Sequence, residues 1–232
     1  MRFTRALQAA LILIATLVTV LAACAEDGKG GGPAALFDAL LTVDSLPAGW
    51  GEAPPIPRAG LGYLLGDDPA NPVLCAVRPD SPERINEAQA SFQLMSEVGH
   101  GPFLYQIVVS LPEGGATTYL AEVRSIIESC PEQIDLPGGD VLRPDGPVPT
   151  DPSRPVATWA FSSLALEKLG DESVAFRRAL VGGVQPATLD TVYIRRGKVL
   201  AIIVRATLGE GDMEEAAAFA RQADDALARV AD

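Results

Sequence analysis

Histidine and cysteine are scarce in this chain of 232 residues, which has one histidine and three cysteines. The histidine, His100, lies between two glycines, and no G-x-S-x-G motif occurs, so nothing indicates a Ser–His–Asp triad. The zinc-binding H-E-x-x-H motif is also missing. The sequence therefore predicts no catalytic residues, no metal site and no cofactor, and we expect a protein that is not an enzyme.

Positive charge is in short supply as well. The chain has 18 lysines and arginines against 30 acidic residues, which gives a formal net charge of -12. Nucleic acid and anionic lipid surfaces repel such a protein, so nucleic acid is excluded as a general partner. The length is typical of one domain with a sizeable core.

The one long apolar run lies at the N terminus. Arg2 and Arg5 precede an apolar stretch over 9–23, which is the pattern of an export signal. The run ends in Leu-Ala-Ala-Cys24 and resembles the bacterial lipobox, whose cysteine is acylated, for example with palmitate, and becomes residue one. An uncleaved transmembrane anchor is the alternative. The predicted segments are a lipoprotein signal peptide (1–23), a flexible tether (24–33) and a folded domain (34–232) on the outer, extracytoplasmic face of the cell membrane, held there by acyl chains on Cys24.

Cys75 and Cys130 are the other two cysteines. In an exported protein, a pair of cysteines indicates a disulfide, and a thiol metal site is the weaker alternative because no histidine lies nearby. The bridge would close a loop of about 56 residues and contribute about 4 kcal/mol to stability. Of the 19 prolines, 14 lie in the stretches 52–82 and 131–155, where we expect no long helix and no central strand.

Hydrophobic periodicity outlines the regular elements. Phe103, Tyr105, Ile107 and Val109 alternate, as in a strand with one buried face. The run 199–204 is apolar throughout, which predicts a central strand covered on both faces. Asp212, with Glu215 three residues later, predicts a capping box at the start of the last helix. The predicted strands are 90–96, 103–111, 156–164, 173–181, 188–196 and 199–207, and the predicted helices are 34–41, 117–130 and 213–230. We predict a single α+β domain, a largely antiparallel twisted sheet flanked by two longer helices.

Short motifs along the chain resemble an actinobacterial family. Residues 40–50, LLTVDSLPAGW, are similar to the "LL…DLPxGW" opening of the PknH-like extracellular sensor domains of receptor kinases and their lipoprotein relatives. The likeness extends through Cys130, the run 169–173 (LGDES) and Arg195-Arg196-Gly197, and covers 40–230. It implies a twisted sheet flanked by helices, with a cleft for an unidentified extracytoplasmic ligand. Receptor members have two disulfides, whereas this chain has cysteines for one.

A basic stretch interrupts the acidic background. Six basic residues and one acidic residue lie in 173–208, a local charge of +5. If neighbouring strands bring Arg177 or Arg178 close to Arg195 and Tyr193, these side chains would suit an anionic group; surface charges that only prevent aggregation are the alternative. The candidate ligand-binding residues are Arg177, Arg178, Tyr193, Arg195, Tyr63 and Tyr105. For Tyr105, Trp50 and Trp159 a place in the core is the simpler interpretation, as is a strand start or turn cap for Asp171 and Glu172.

These features together predict a membrane-anchored lipoprotein that binds an envelope-derived ligand, anionic or lipidic, without catalysis. We place the ligand between the sheet and the proline-rich stretches, beside the Cys75–Cys130 bridge. The alternatives are a lipid carrier, which needs a large aliphatic cavity, and a docking module for a membrane protein partner, which needs a flat apolar patch.

Overall fold

The structure, a computed structural model, describes residues 33–54, 84–95, 101–135, 158–181 and 186–230. These residues form one eight-stranded antiparallel sheet and three α-helices. The helices are α1 (Pro33–Asp38), α2 (Gly115–Ser129) and α3 (Met213–Ala228), with a 3-10 turn over Val43–Ser45. The strands are β1 (Trp50–Glu52), β2 (Asn86–Leu94), β3 (Phe103–Ser110), β4 (Gln133–Asp135), β5 (Thr158–Ser163), β6 (Glu172–Val181), β7 (Ala187–Arg196) and β8 (Val199–Leu208). Across the sheet they follow the order β1-β2-β3-β8-β7-β6-β5-β4.

The α+β class and the antiparallel sheet are confirmed. The prediction of two flanking helices is incomplete. Besides the longer α2 and α3, the short helix α1 also packs against the sheet, on β2 and β3. The periodicity did not predict β1 and β4, which have three residues each and are too short to show alternation.

One face of the sheet is covered by α1 and α3. The ring of Trp50 meets the ring of Phe219 on α3 edge to face, with centroids 5.1 Å apart. Gln106 of β3 is fully buried: its Oε1 accepts a hydrogen bond from Leu41 N at 2.7 Å, and its Nε2 donates to Ala39 O at 3.1 Å, just after α1. Both ends of this buried amide are thus satisfied, and they fix the end of α1 on the sheet.

The opposite face is covered by α2, an amphipathic helix whose apolar stripe is buried at Tyr119, Leu120 and Val123. Tyr193 of β7 lies beneath this helix, with its ring 6.2 Å from that of Tyr119 and 6.3 Å from that of Phe176 on β6. These rings form a row across the sheet and bury large apolar area.

The centre of the sheet follows the sequence closely. Every residue from Val199 to Val204 is buried, as expected for a strand covered on both faces.

Asp212 caps α3 by accepting hydrogen bonds from Glu214 N at 2.9 Å and Glu215 N at 3.1 Å. The full capping box is wrong, however, because the Glu215 carboxylate binds Arg205 of β8 instead.

Trp50, Trp159 and Tyr105 are core residues, with exposed fractions of 6%, 3% and 1%. Cys24, Cys75, Tyr63 and His100 lie outside the described residues, so the lipidation and the disulfide stay predictions. Among the helices that are described, none has the length and apolar character needed to cross a membrane.

Candidate ligand-binding site

A cleft of about 560 Å³ opens where the chain leaves α2 and enters β4. The last turn of α2 forms one wall and the end of β5 forms the other; we call this space the α2–β5 cleft. Its apolar lining comes from Ile127, Phe161 and Phe176. Phe161 is half-buried, whereas Phe176 belongs to the core beneath α2. The cleft therefore has an aromatic wall that a bound molecule can contact.

The rest of the lining is polar and exposed. It consists of two carboxylates, one amide and two hydroxyls, from Glu128, Glu132, Gln133, Ser162 and Ser163. Neither Glu128 nor Glu132 makes an ion pair with a described residue. Among the lining residues that the structure describes none is lysine, arginine or histidine, so this part of the cleft presents negative charge.

An open backbone edge contributes to the same cleft. β4 pairs with Thr158–Ala160, and one more hydrogen bond runs from Phe161 N to Glu132 O at 2.9 Å. On the other side of β5, Leu164 N donates to Ala175 O. Because backbone groups alternate in direction along an antiparallel strand, the N–H and C=O of Ser163 point away from β6, past the end of β4. They are available to a molecule in the cleft.

Arg178 lies beside Phe161 and Phe176 on the same face of the sheet. It is opposite Phe161 in the β5–β6 register, and its guanidinium carbon is 5.8 Å from the centroid of the Phe176 ring. The side chain is only 2% exposed, so it does not line the cleft. Arg178 thus supports the rings through a cation–π contact rather than offering a charge to solvent.

The expected cluster of arginines around Arg195 is wrong. The β6–β7 register places Arg195 opposite Glu172, whereas Arg177 is opposite Asp190 and Arg178 is opposite Leu189. Asp190 and Arg195 are five residues apart on β7, about 17 Å at the usual rise per residue. The sheet therefore holds apart arginine side chains that belong to the same basic stretch of the sequence.

Four of the basic side chains, Arg177, Arg195, Arg196 and Arg205, make ion pairs within the fold. Arg177 binds both oxygens of Asp190, at 2.6 and 2.9 Å, and these hydrogen bonds raise the pKa of Arg177. Arg205 continues this network, with its guanidinium 2.5 Å from Glu215. Arg195 is 3.2 Å from Asp171. These pairs hold strands and α3 together, and they leave little positive charge for an external anion.

Residues 169–173, which carry part of the family resemblance, link the start of β6 to α2, to α3 and to the turn between β7 and β8. Gly170 has a φ of 57°, and its N–H donates to the carboxylate of Asp224 on α3 at 3.0 Å. Asp171 accepts from Gly197 N at 2.7 Å, in the turn between β7 and β8. Glu172 begins β6 and accepts from Arg124 of α2 at 2.7 Å. The acids are therefore strand-start and turn residues, the simpler of the two interpretations.

A second cavity, of about 440 Å³, lies between α1 and the β1–β2 edge. Phe37 of α1 lines it, together with Leu40, which follows α1, and Gln89 of β2. The Tyr105 hydroxyl also reaches this cavity and donates to Gln89 Oε1 at 2.5 Å, while burial raises its pKa. Neither Tyr105 nor Tyr193 is among the described lining residues of the α2–β5 cleft, although both are candidate ligand-binding residues in the sequence.

Sequence reasoning found the neighbourhood of the cleft but not its lining. Cys130 lines the cleft and pointed to this region, whereas Glu128, Glu132 and Ser163 carry no motif. Within the described ranges, no group of three metal-ligating side chains comes together.

Known proteins give a likeness in fold only. No protein-family model and no curated protein matches the sequence. The crystal structure of the extracellular domain of PknH from Mycobacterium tuberculosis superposes with a TM-score of 0.54 at 11% identity, over 86% of this chain and 98% of that one. The X-ray structure of an uncharacterized protein from Mycobacterium smegmatis, the Rv0999 ortholog, gives a TM-score of 0.43 at 10% identity, over 88% and 99%. The chain therefore shares the fold of the PknH extracellular domain.

Proposed function

We propose that this chain is an actinobacterial lipoprotein, anchored through Cys24 to the outer face of the cell membrane, whose folded part binds an envelope-derived ligand without catalysing a reaction. The N-terminal signal and lipobox support export and acylation. The shared fold with the extracellular domain of PknH supports a sensor-like role outside the cytoplasm.

The observation that carries this proposal is the α2–β5 cleft. Its volume lies within the range of small-molecule sites, and it combines aromatic rings with a few polar groups. Cys130 forms part of its wall. The predicted disulfide to Cys75 would fix that wall, so that a ligand meets a preformed surface.

Binding without chemistry follows from the groups in the cleft. A serine nucleophile needs a neighbouring base, and the described residues that line the cleft beside Ser162 and Ser163 include neither histidine nor lysine. The hydroxyls are therefore suited to hydrogen bonding.

Docking of a membrane protein partner is the second candidate. Phe103 and Leu208, with exposed fractions of 38% and 50%, lie close together on one face of the sheet, since Phe103 is opposite Ala206. A lipid carrier has less support, because the lining of the α2–β5 cleft is half polar.

Native mass spectrometry of the full-length protein, extracted from its own membranes, tests the proposal. We expect the mass of residues 24–232 with acyl chains, plus a noncovalently bound molecule. Phe161→Ala should lose most of that molecule, whereas Phe37→Ala, in the second cavity, should keep it. A bare protein, or equal retention by the two variants, would contradict ligand binding in the cleft.

A further inference from the structure

The hydrogen-bonding groups of the α2–β5 cleft restrict the class of ligand more than the volume of the cleft does. Glu128 and Glu132 offer carboxylate oxygens, which accept hydrogen bonds and donate none when ionised. The Ser163 carbonyl is a further acceptor at the open edge of β5. Donors are fewer: the Ser163 N–H, the Gln133 amide and the hydroxyls of Ser162 and Ser163. A matching ligand must therefore be rich in donors and must also contain some acceptors.

The aromatic wall adds a second requirement. The face of an aromatic ring carries partial negative charge and attracts polarised C–H or cationic groups. Phe161 is half-buried, and its exposed part lines the cleft. Arg178 makes a cation–π contact with the ring of Phe176. A ligand with one C–H face and an edge of hydroxyls satisfies the wall and the carboxylates together.

The charge of the lining excludes anionic ligands. A phosphate or carboxylate in the cleft would lie beside Glu128 and Glu132, with no basic side chain among the lining residues that the structure describes. Like charges brought together at a binding site cost several kcal/mol. Arg178 is not among the described lining residues, and its side chain is only 2% exposed.

We infer that the α2–β5 cleft binds a saccharide that has no anionic group, with the sugar hydroxyls on Glu128 and Glu132, and a ring face on Phe161. This inference rests on the proposed function, and it replaces the anionic ligand that the basic stretch had indicated. The backbone of Ser163 supplies the donor and acceptor that orient the sugar along the β5 edge.

Three monosaccharides with the same ring test the inference. Glucose, glucosamine and glucose 6-phosphate are titrated to the same millimolar concentrations into the isotope-labelled full-length protein in detergent micelles, and the Ser163 amide resonance is followed. Glucose and glucosamine should shift it in a saturable way, with glucosamine binding at least as tightly. Glucose 6-phosphate should bind at least tenfold more weakly than glucose. Equal or tighter binding of the phosphate, or no shift with any of the three, overturns the inference.

Two matched variants locate the interaction. Glu132→Gln should weaken glucosamine binding at least fivefold and reduce the discrimination against glucose 6-phosphate. Glu122→Gln removes an exposed carboxylate of α2 that lies outside the cleft, and it should change neither. If the two variants behave alike, the carboxylates do not select the ligand and the inference is wrong.

Failure of this inference is distinguishable from failure of the proposed function. If the three sugars leave the cleft unchanged while Phe161→Ala still releases a co-purifying molecule, the cleft is a binding site for another ligand class. If nothing co-purifies with the protein and no probe shifts the cleft resonances, both proposals fall.

Discussion

Replacing Asp224 by alanine should remove the junction at which α3 meets two turns of the sheet. The Asp224 carboxylate is 8% exposed. It accepts hydrogen bonds from Arg196 Nε at 2.7 Å, Arg196 Nη2 at 3.0 Å and Gly170 N at 3.0 Å. In Asp224→Ala, the Gly170 N–H loses its acceptor and the guanidinium loses its charged partner.

The magnitude follows from burial. A hydrogen bond to a charged group contributes about 1.5–3 kcal/mol, and breaking a fully buried ion pair costs about 3–5 kcal/mol. Because the Arg196 side chain is 32% exposed, water recovers part of this loss. We expect the free energy of unfolding to fall by about 2–3 kcal/mol for Asp224→Ala. Asp224→Asn should lose about half as much, since its amide oxygen still accepts from Gly170 N.

Urea unfolding under non-reducing conditions measures this loss. With a slope of about 2 kcal/mol/M, the unfolding midpoint of Asp224→Ala should fall by about 1–1.5 M without a change in slope. Asp225→Ala is the matched control, because Asp225 is the next residue on α3 and is exposed; its free energy of unfolding should stay within about 0.5 kcal/mol. Equal effects at the two positions would refute the structural role of the junction.

Other expected outcomes concern alkaline stability, backbone strain and anchoring. Burial raises the pKa of Tyr105 and of Tyr193 above the ordinary value near 10, so the unfolded state loses these two protons first. The free energy of unfolding should therefore fall as pH rises above 10, by about 1.4 kcal/mol per pH unit for each tyrosine. Urea unfolding of the Tyr193→Phe variant should show a shallower fall. In Gly170→Ala the new Cβ would lie 2.4 Å from a backbone oxygen, so thermal unfolding should show a larger loss than for Gly114→Ala, where φ is also positive but nothing lies within 4 Å. Cys24→Ser should move the protein from the membrane fraction to the soluble fraction, and retention in the membrane would contradict lipid anchoring.

The regular elements were predictable wherever one side-chain pattern continued for several residues. Alternation identified β3, although this strand is buried on both faces over 104–110 and not on one, and the continuous apolar run identified β8 at the centre of the sheet. The apolar stripe identified α2, which ends at Ser129, two residues before Pro131. These signals are local, because each depends only on the periodicity of one element.

The ion pairs and the cleft depend on strand register, which the sequence does not contain locally. Arg177 and Asp190 are 13 residues apart, and only the pairing of β6 with β7 makes them neighbours. A shift of that register by one residue would place every side chain of a strand on the opposite face. The α2–β5 cleft likewise forms where β4 stops short of Ser163, at a three-residue strand that periodicity does not detect.

Hydrogen–deuterium exchange of the full-length protein, before and after removal of whatever co-purifies from its own membranes, tests ligand binding in the α2–β5 cleft most directly. The account predicts that removal speeds amide exchange in 127–133 and 160–164, with smaller changes around α1 and the second cavity. Exchange that is unchanged in those two segments, or that changes mainly elsewhere, would contradict the account.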